Sequence, residues 1–226
     1  MQNNLMSNNF DPNQNHYIYI EKDTTPLIFI HGVGLDHQMW SPQINNLKEF
    51  SIITYDLLGH GKTPCKKDKL SLNDFSNQLT EILEYLKINK IHLIGFSLGS
   101  LIALDFVTKM QNKVDKLILI GTTYKRTIEE RSLVIDRYNQ AKLNKPISKQ
   151  ALKRWFTDKY LEENPMTYDL FMNILNKKSV DHKNFLKAYE LFANHEDATP
   201  LIQGISSKTL VMTGSDDPGS TPAMSK

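Results

Sequence analysis

The segment Ile91-His-Leu-Ile-Gly-Phe-Ser-Leu-Gly-Ser100 constrains the fold more than any other stretch of the chain. A short apolar run enters Gly-x-Ser-x-Gly and continues into an apolar helical pattern at Leu101, Ala103, Leu104, Phe106 and Val107. Strand, sharp turn and helix in this order describe a nucleophile elbow. Such a turn lifts Ser97 Oγ out at the end of a sheet, and Gly95 and Gly99 leave room for crowded backbone. It also aims the Leu98 N–H at the place where an oxyanion would form. A serine hydroxyl is a weak nucleophile until a neighbouring base takes its proton, so a base is expected elsewhere in the fold. The competing role for Ser97, capping helix 98–110, gives way once other loops with matching chemistry are found.

The rest of the chain supplies the sheet that an elbow requires. Tyr17–Ile20, Pro26–His31, Ser51–Asp56, 91–95, Val114–Ile120 and 208–214 read as strands. Pro26-Leu-Ile-Phe-Ile-His31 is apolar on consecutive positions, as a parallel strand covered on both faces must be. Helices are expected at about 36–48, 73–87 and 98–110, the second capped by Ser71 or Asn73 and buried through Phe75, Leu79, Ile82, Leu83 and Leu86. Strands alternating with helices predict an α/β fold with a mainly parallel, right-handed sheet and helices on both faces. The alternation breaks after Thr123. Residues 125–196 carry only helical periodicity, with Ser148 and Asp181 as candidate N-caps and Pro165 in a first turn. The expected organisation is a disordered segment 1–16, a core formed by 17–124 and 204–226, and a helical cap of about four helices at 125–203. Ligands on such sheets sit at the carboxyl ends of the strands. The loops 31–34, 56–61, 97–98 and 214–222 all lie there.

At 226 residues and 26.0 kDa the chain suits one domain with an insertion. A net charge of +2 from 27 basic and 25 acidic residues forms no basic stripe, which argues against nucleic-acid binding. The clusters Lys66-Lys67-Asp68-Lys69 and Lys177-Lys178 read as solvated loops. The single cysteine, Cys65, excludes an internal disulfide and a cysteine zinc cage, and its lysine-rich setting predicts an exposed thiol. The polar, asparagine-rich N-terminus holds no secretory signal core, and no run has the apolar length of a membrane span. A cytoplasmic protein without membrane contact is the expectation. Residues 32–37 do not complete Gly-x-Gly-x-x-Gly, because His37 stands in the third glycine's place. No zinc spacing or phosphate-cradling loop stands out, so neither metal nor organic cofactor is expected.

His31-Gly-Val-Gly34, Asp56-Leu-Leu-Gly-His-Gly61, Gly95-Phe-Ser-Leu-Gly99 and Gly214-Ser-Asp-Asp-Pro-Gly-Ser-Thr-Pro222 occur in this order. Together they resemble the α/β-hydrolase superfamily, and within it the single-domain esterases and 3-oxoadipate enol-lactonases. The resemblance covers roughly 17–124 and 204–226. Ser100 stands where many members have glycine, and Thr63 where many have serine.

The resemblance implies a hydrolase of a small carboxylic ester or lactone working through an acyl-serine intermediate. Ser97 is the implied nucleophile, and the backbone N–H groups of Val33 and Leu98 the implied oxyanion hole. Asp217, three residues past Gly214, is the implied triad acid, with Asp216 as its rival. Chain order serine then aspartate agrees with the superfamily. The family's last helix, last strand and catalytic histidine have no counterpart in these residues, so the base is expected beyond position 226 and the 226-residue chain is expected to be nearly inactive alone. The histidines at 31 and 60 belong to loops where they look structural, His92 to a strand end, and His182 and His195 to the cap. Trp40, Trp155, Phe156 and Met39 are candidate pocket walls or ordinary packing. Lys125, Arg126 and Arg131 near the cap entrance either bind a carboxylate or face water. Two other functions remain open at this point: a carbon–carbon bond hydrolase of the same fold, and a non-catalytic binding module.

Overall fold

The computed structural model describes residues 9–143, 148–176 and 182–226. Seven strands form one sheet: β1 (Asn9–Phe10), β2 (His16–Ile20), β3 (Leu27–Ile30), β4 (Ile52–Tyr55), β5 (Ile91–Phe96), β6 (Val114–Ile120) and β7 (Lys208–Met212). Their order is β1-β2-β4-β3-β5-β6-β7. β1 and β2 run antiparallel at one edge, and every pairing from β4 through β7 is parallel. The helices among the described residues are α1 (Ser41–Asn46), α2 (Leu72–Tyr85), α3 (Leu98–Lys109), α4 (Ile128–Lys142), α5 (Ser148–Trp155), α6 (Asp158–Glu163), α7 (Pro165–Asn176), α8 (His182–Asn194) and α9 (Thr199–Ile202). The sheet therefore has the mainly parallel architecture that the alternating pattern predicts.

Successive strand residues point to opposite faces, and the core splits accordingly. Ile28, Ile30, Ile53, Tyr55, Leu93, Leu117 and Leu119 pack with Phe75, Leu79, Ile82 and Leu83 of α2 and with Leu101, Ile102 and Phe106 of α3. Full burial of each such side chain is worth roughly 1.5–3 kcal/mol. Phe29, Ile52 and Ile94 face the other way, onto Met39, Trp40 and Ile44, and onto Leu152 of α5 with Phe171 and Ile174 of α7. The insertion thus covers part of the second face of the sheet. Its entry and exit are joined: the backbones of Lys125 and Asp197 form an isolated antiparallel β-bridge, Arg126 N–H donates to Glu196 O, and Ala198 N–H donates to Tyr124 O.

Several local expectations need correction. The segment 1–16 is not disordered over its described part. Residues 9–10 pair with β2, and Asp11, Asn15 and His16 are buried. Their polarity is satisfied by side chains rather than by water: Asn15 N–H and Nδ2 donate to Asp11, and Nδ2 also reaches Glu81 Oε2 at 2.9 Å. The helix expected over 36–48 is a 3₁₀ turn at His37–Trp40 followed by the short α1. Asp36 caps the turn through the Gln38 N–H, and Pro42 sits in the first turn of α1. Ser71 is the N-cap of α2, in a capping box with Asp74, while Asn73 lies inside the helix. Cys65 is buried, not exposed. Ser148 opens α5, and its hydroxyl donates to Asn176 Oδ1. Asp181 and Lys177-Lys178 fall outside the described residues. The insertion holds more helices than expected, α4 to α9 rather than about four. β7 forms the sheet edge among the described residues, with Leu210 and Met212 about half exposed.

Candidate active site

Ser97 sits between β5 and α3 with φ of 55° and ψ of −116°. A non-glycine residue in this region carries strain of about 1–3 kcal/mol, held only because the surroundings over-determine it. The two elbow glycines provide that setting. A Cβ on Gly95 would lie 2.3 Å from Gly99 O, and one on Gly99 would lie 2.4 Å from Ile30 O. β5, β3 and the start of α3 therefore touch backbone to backbone. Ser97 N–H donates to Ile120 O at 2.9 Å, which ties the elbow to β6. The Ser97 side chain makes no capping bond to α3, so the capping role considered for it is not the one observed. Its carbonyl instead receives Ser100 N–H and Ser100 Oγ–H, at 2.9 and 2.6 Å.

The loop after β3 lies against the elbow. A Cβ on Gly32 would be 3.3 Å from Ser97 Cβ. Two buried histidines fix this loop. His31 donates from Nδ1 to Gly32 O at 2.8 Å and accepts the Leu57 N–H at Nε2. His60 donates from Nδ1 to Leu58 O and accepts the Gly34 N–H at Nε2, 3.1 Å away. Each ring is one donor and one acceptor, so both are neutral. Burial pushes His31 down to about 3, with His60 adding to it against the pull of Asp56. Burial likewise pushes His60 down to about 4. The N–H groups of Val33 and Leu98 have no acceptor among the described residues and border the Ser97 cavity or its elbow.

Asp56, at the end of β4, anchors the next loop. It accepts from His16 Nδ1 (2.8 Å), His37 Nδ1 (2.7 Å), His37 N–H (2.9 Å) and Lys62 N–H (2.9 Å). Burial works against its charge, yet the bonds from His16 and His37 outweigh that and hold the carboxyl well below the usual range. His16, His37 and Asp56 are close enough to hold a metal ion. Both Nδ1 atoms are already engaged with Asp56, so the cluster works as a hydrogen-bond hub in this state.

Asp217 is held in the loop after β7. Its Oδ1 accepts from Gly219 and Ser220 N–H at 2.8 and 2.9 Å. Ser220 Oγ–H in turn donates to Gly121 O at the end of β6. Asp217 Oδ2 has no hydrogen-bond partner among the described residues and lies 3.9 Å from the Cβ position of Gly121. Asp216 is exposed and makes no such bonds. Ser97, Val33 and Asp217 border one cavity of about 1850 Å³. Trp40, Trp155 and Phe156 border it too. Trp40 packs on Phe29, Trp155 meets Phe96 edge-on, and Phe156 stacks on Tyr160.

No histidine among the described residues contacts Ser97 or Asp217. His16 and His37 serve Asp56, His31 and His60 serve the β3 loop, and His92 approaches Asp115. His182 Nε2 faces Ala141 O, and His195 Nε2 is buried without a partner. Of the cationic residues considered near the cap entrance, Arg126 borders the cavity, Arg131 pairs with Glu196, and Lys125 is exposed. Arg137 and Arg154 also border the cavity, and nothing in the sequence singles them out.

The family model for the alpha/beta hydrolase fold matches residues 25–226. The chain belongs to that family. Among its relatives is the (E)-2-((N-methylformamido)methylene)succinate hydrolase of Acinetobacter baylyi, 29% identical over 219 residues, covering 94% of this chain and 80% of the relative. The 3-oxoadipate enol-lactonase 2 of the same organism is 24% identical over 214 residues, covering 92% and 78%. The enol-lactonase from Burkholderia xenovorans LB400 superimposes with a TM-score of 0.82 at 22% identity, over 93% of this chain and 82% of that one, a likeness of fold. Hydrolase chemistry is the activity class that these relatives indicate. No helix among the described residues is long and apolar enough to cross a membrane.

Proposed function

We propose that this hydrolase cleaves a small carboxylic ester or lactone through an acyl-serine intermediate. The observation that carries the reading is Ser97 itself: a non-glycine residue at φ 55°, its hydroxyl uncommitted, beside two unpaired N–H groups. Ser97 Oγ attacks the carbonyl carbon as its proton passes to the imidazole base, and the negative charge collects on the carbonyl oxygen between Val33 and Leu98 N–H. Loss of one such donor typically costs about 10²–10³ in rate. The tetrahedral intermediate collapses, the alcohol leaves with a proton from the base, and water then releases the acid by the same steps in reverse order of partners. In a lactone the leaving alcohol stays tethered to the acyl group.

Asp217 is the group that orients the base. Two backbone donors fix Oδ1, which leaves Oδ2 to accept from an imidazole. No described histidine hydrogen-bonds Ser97 or Asp217, and the reading requires an imidazole docked on Oδ2 as the base. Without it the family mechanism loses on the order of 10⁶ in kcat. The insertion 125–203 acts as the lid: Phe185 of α8 lies over Gly34, and Trp155 of α5 lies over Phe96 next to Ser97. Trp40, Trp155 and Phe156 are then substrate-facing walls. The name of one relative, an enol-lactonase, supports a lactone, and that of another, a succinate-derivative hydrolase, supports a small acid as substrate. The test is a panel of p-nitrophenyl esters and lactones on the protein. Turnover should vanish in Ser97→Ala; turnover that persists there would end the acyl-serine proposal.

A further inference from the structure

Three arginines reach the Ser97 cavity from three different turns of the insertion. Arg126 precedes α4, Arg137 lies within α4, and Arg154 lies in the last turn of α5. They converge on Tyr189 of α8, which feels the charge of all three, with Arg137 nearest its hydroxyl. None of the three has a carboxylate within ion-pair distance among the described residues. Of the acidic groups near them, Glu130 closes the capping box of α4, Glu196 pairs with Arg131, and Asp217, whose charge Arg154 feels, keeps Oδ1 on its own loop and forms no ion pair with any of the three.

Arg126 shows that the cluster is not fully used by the fold. It is 91% buried by its relative exposure of 9%. One nitrogen, Nη1, donates to Phe192 O and His195 O at 2.7 and 2.8 Å, and the guanidinium lies 4.4 Å over the Phe192 ring. The other two, Nε and Nη2, are buried without any partner. A guanidinium carries five donors, and a buried one left unpaired is destabilising. Arg154 likewise gives one bond to Gln150 O, while burial first and Arg137 next lower its affinity for its proton. Three like charges in a partly dry cavity repel one another, and an anion among them would remove both penalties at once.

We propose that Arg126, Arg137 and Arg154 form a carboxylate subsite, and that the substrate is an ester or lactone bearing at least one carboxylate apart from the bond that is cleaved. This rests on the hydrolase reading above and names the substrate class for it. The planar guanidinium fork matches a carboxylate in two parallel bonds, so arginine here selects a carboxylate over a neutral amide of equal size. Tyr189 can add a hydroxyl donor at the same point. The apolar wall of Trp155, Phe156 and Phe171 on the other side of the cavity would take the carbon skeleton.

Binding can be measured without turnover. Calorimetric titration of the protein with succinate and glutarate should give one saturable site whose affinity falls with added salt. Succinamide, the neutral analogue, should bind at least about 10-fold more weakly, the weight of one charged hydrogen bond. Arg137→Gln and Arg154→Gln should each weaken succinate by a similar factor, and Arg137→Lys should recover part of the loss. These two positions avoid the backbone bonds that Arg126 makes, and the unchanged melting temperature of each variant verifies folding. Inorganic phosphate should bind more weakly than succinate. Equal affinity for succinamide, for phosphate, or for succinate in both arginine variants would overturn the subsite. Substrate acylation of the wild-type protein, read by mass spectrometry beside the succinate titration, separates the two readings. Succinate binding with no acylation of Ser97 would leave the subsite and remove the acyl-serine mechanism. Acylation of Ser97 with no dicarboxylate binding would do the reverse.

Discussion

Replacing Gly95 with alanine tests whether backbone contact at the elbow sets the position of Ser97. The added methyl would lie 2.3 Å from Gly99 O, 2.6 Å from Gly99 C and 2.7 Å from Ser100 Cα. All three are backbone atoms, so no rotamer change can relieve the overlap. Ordinary contact begins near 3.4 Å, so α3 must retreat from β5 by roughly 1 Å. Overpacking of this kind costs about 1–3 kcal/mol. For a domain of this size that lowers the melting temperature by roughly 2–12 °C. The same displacement moves Ser97 Oγ and the Leu98 N–H relative to the Val33 loop, and a misplacement of about 1 Å is worth on the order of 10² in rate. Gly214→Ala is the matched control for stability, because its new methyl would have its nearest neighbour at 3.9 Å. Thermal melts of the three proteins, read with rates of labelling by a fluorophosphonate, give both numbers. A Gly95→Ala protein that melts with the wild type and labels at the same rate would refute the claim that the elbow is built on this contact.

Other outcomes follow from the same geometry. Asp217→Asn should lower kcat by on the order of 10⁴, as a wrongly held imidazole does, while Asp216→Asn should change it far less; the reverse ranking would transfer the acid role. Unfolded histidine takes up a proton near pH 6.5, whereas folded His60 and His31 do so only near 4 and 3. Between those values the unfolded state binds more protons, so stability should fall as pH drops from 6.5 toward 4, by up to about 1.4 kcal/mol per pH unit for each ring. Denaturant melts across that window should show a shallower slope for His60→Gln, and an unchanged slope would remove His60 as a titrating group. The carboxyl of Asp56, held low in the fold, contributes stability above the normal carboxylate pKa that is lost as pH falls through its folded value. Trp155→Ala should alter KM or substrate preference more than the melting temperature, because the residue borders the cavity; a large fall in melting temperature with unchanged kinetics would make it ordinary packing.

The parallel strands were legible because each is apolar on consecutive residues and ends in a turn with its own chemistry. Ile91–Phe96 and Leu27–Ile30 are the clearest cases, and their ends place Ser97 and Val33 on the same side of the sheet. The rest escaped for physical reasons. Asn15 and Asp11 look like disordered sequence because Asn15, which holds Asp11, has its own partners Glu81 and Gln78 more than sixty residues away. The helix over 36–48 reads as continuous from its apolar spacing, but Asp36 and Pro42 split it into a turn and a short helix. Cys65 stands among lysines in sequence and under the α2 core in space. The arginine cluster is set by how α4, α5 and α8 pack, a property that no spacing of 126, 137 and 154 encodes. The base is a different case, since none of the described histidines hydrogen-bonds Ser97 or Asp217.

The central claim is that Ser97 becomes acylated, and covalent mapping tests it most directly. The protein is treated with a fluorophosphonate, digested, and its adduct located by mass spectrometry. The account predicts one adduct, on the peptide containing Gly95-Phe-Ser-Leu-Gly99, lost in Ser97→Ala and slowed in Asp217→Asn. An adduct on any other serine, or labelling that survives Ser97→Ala, would contradict it.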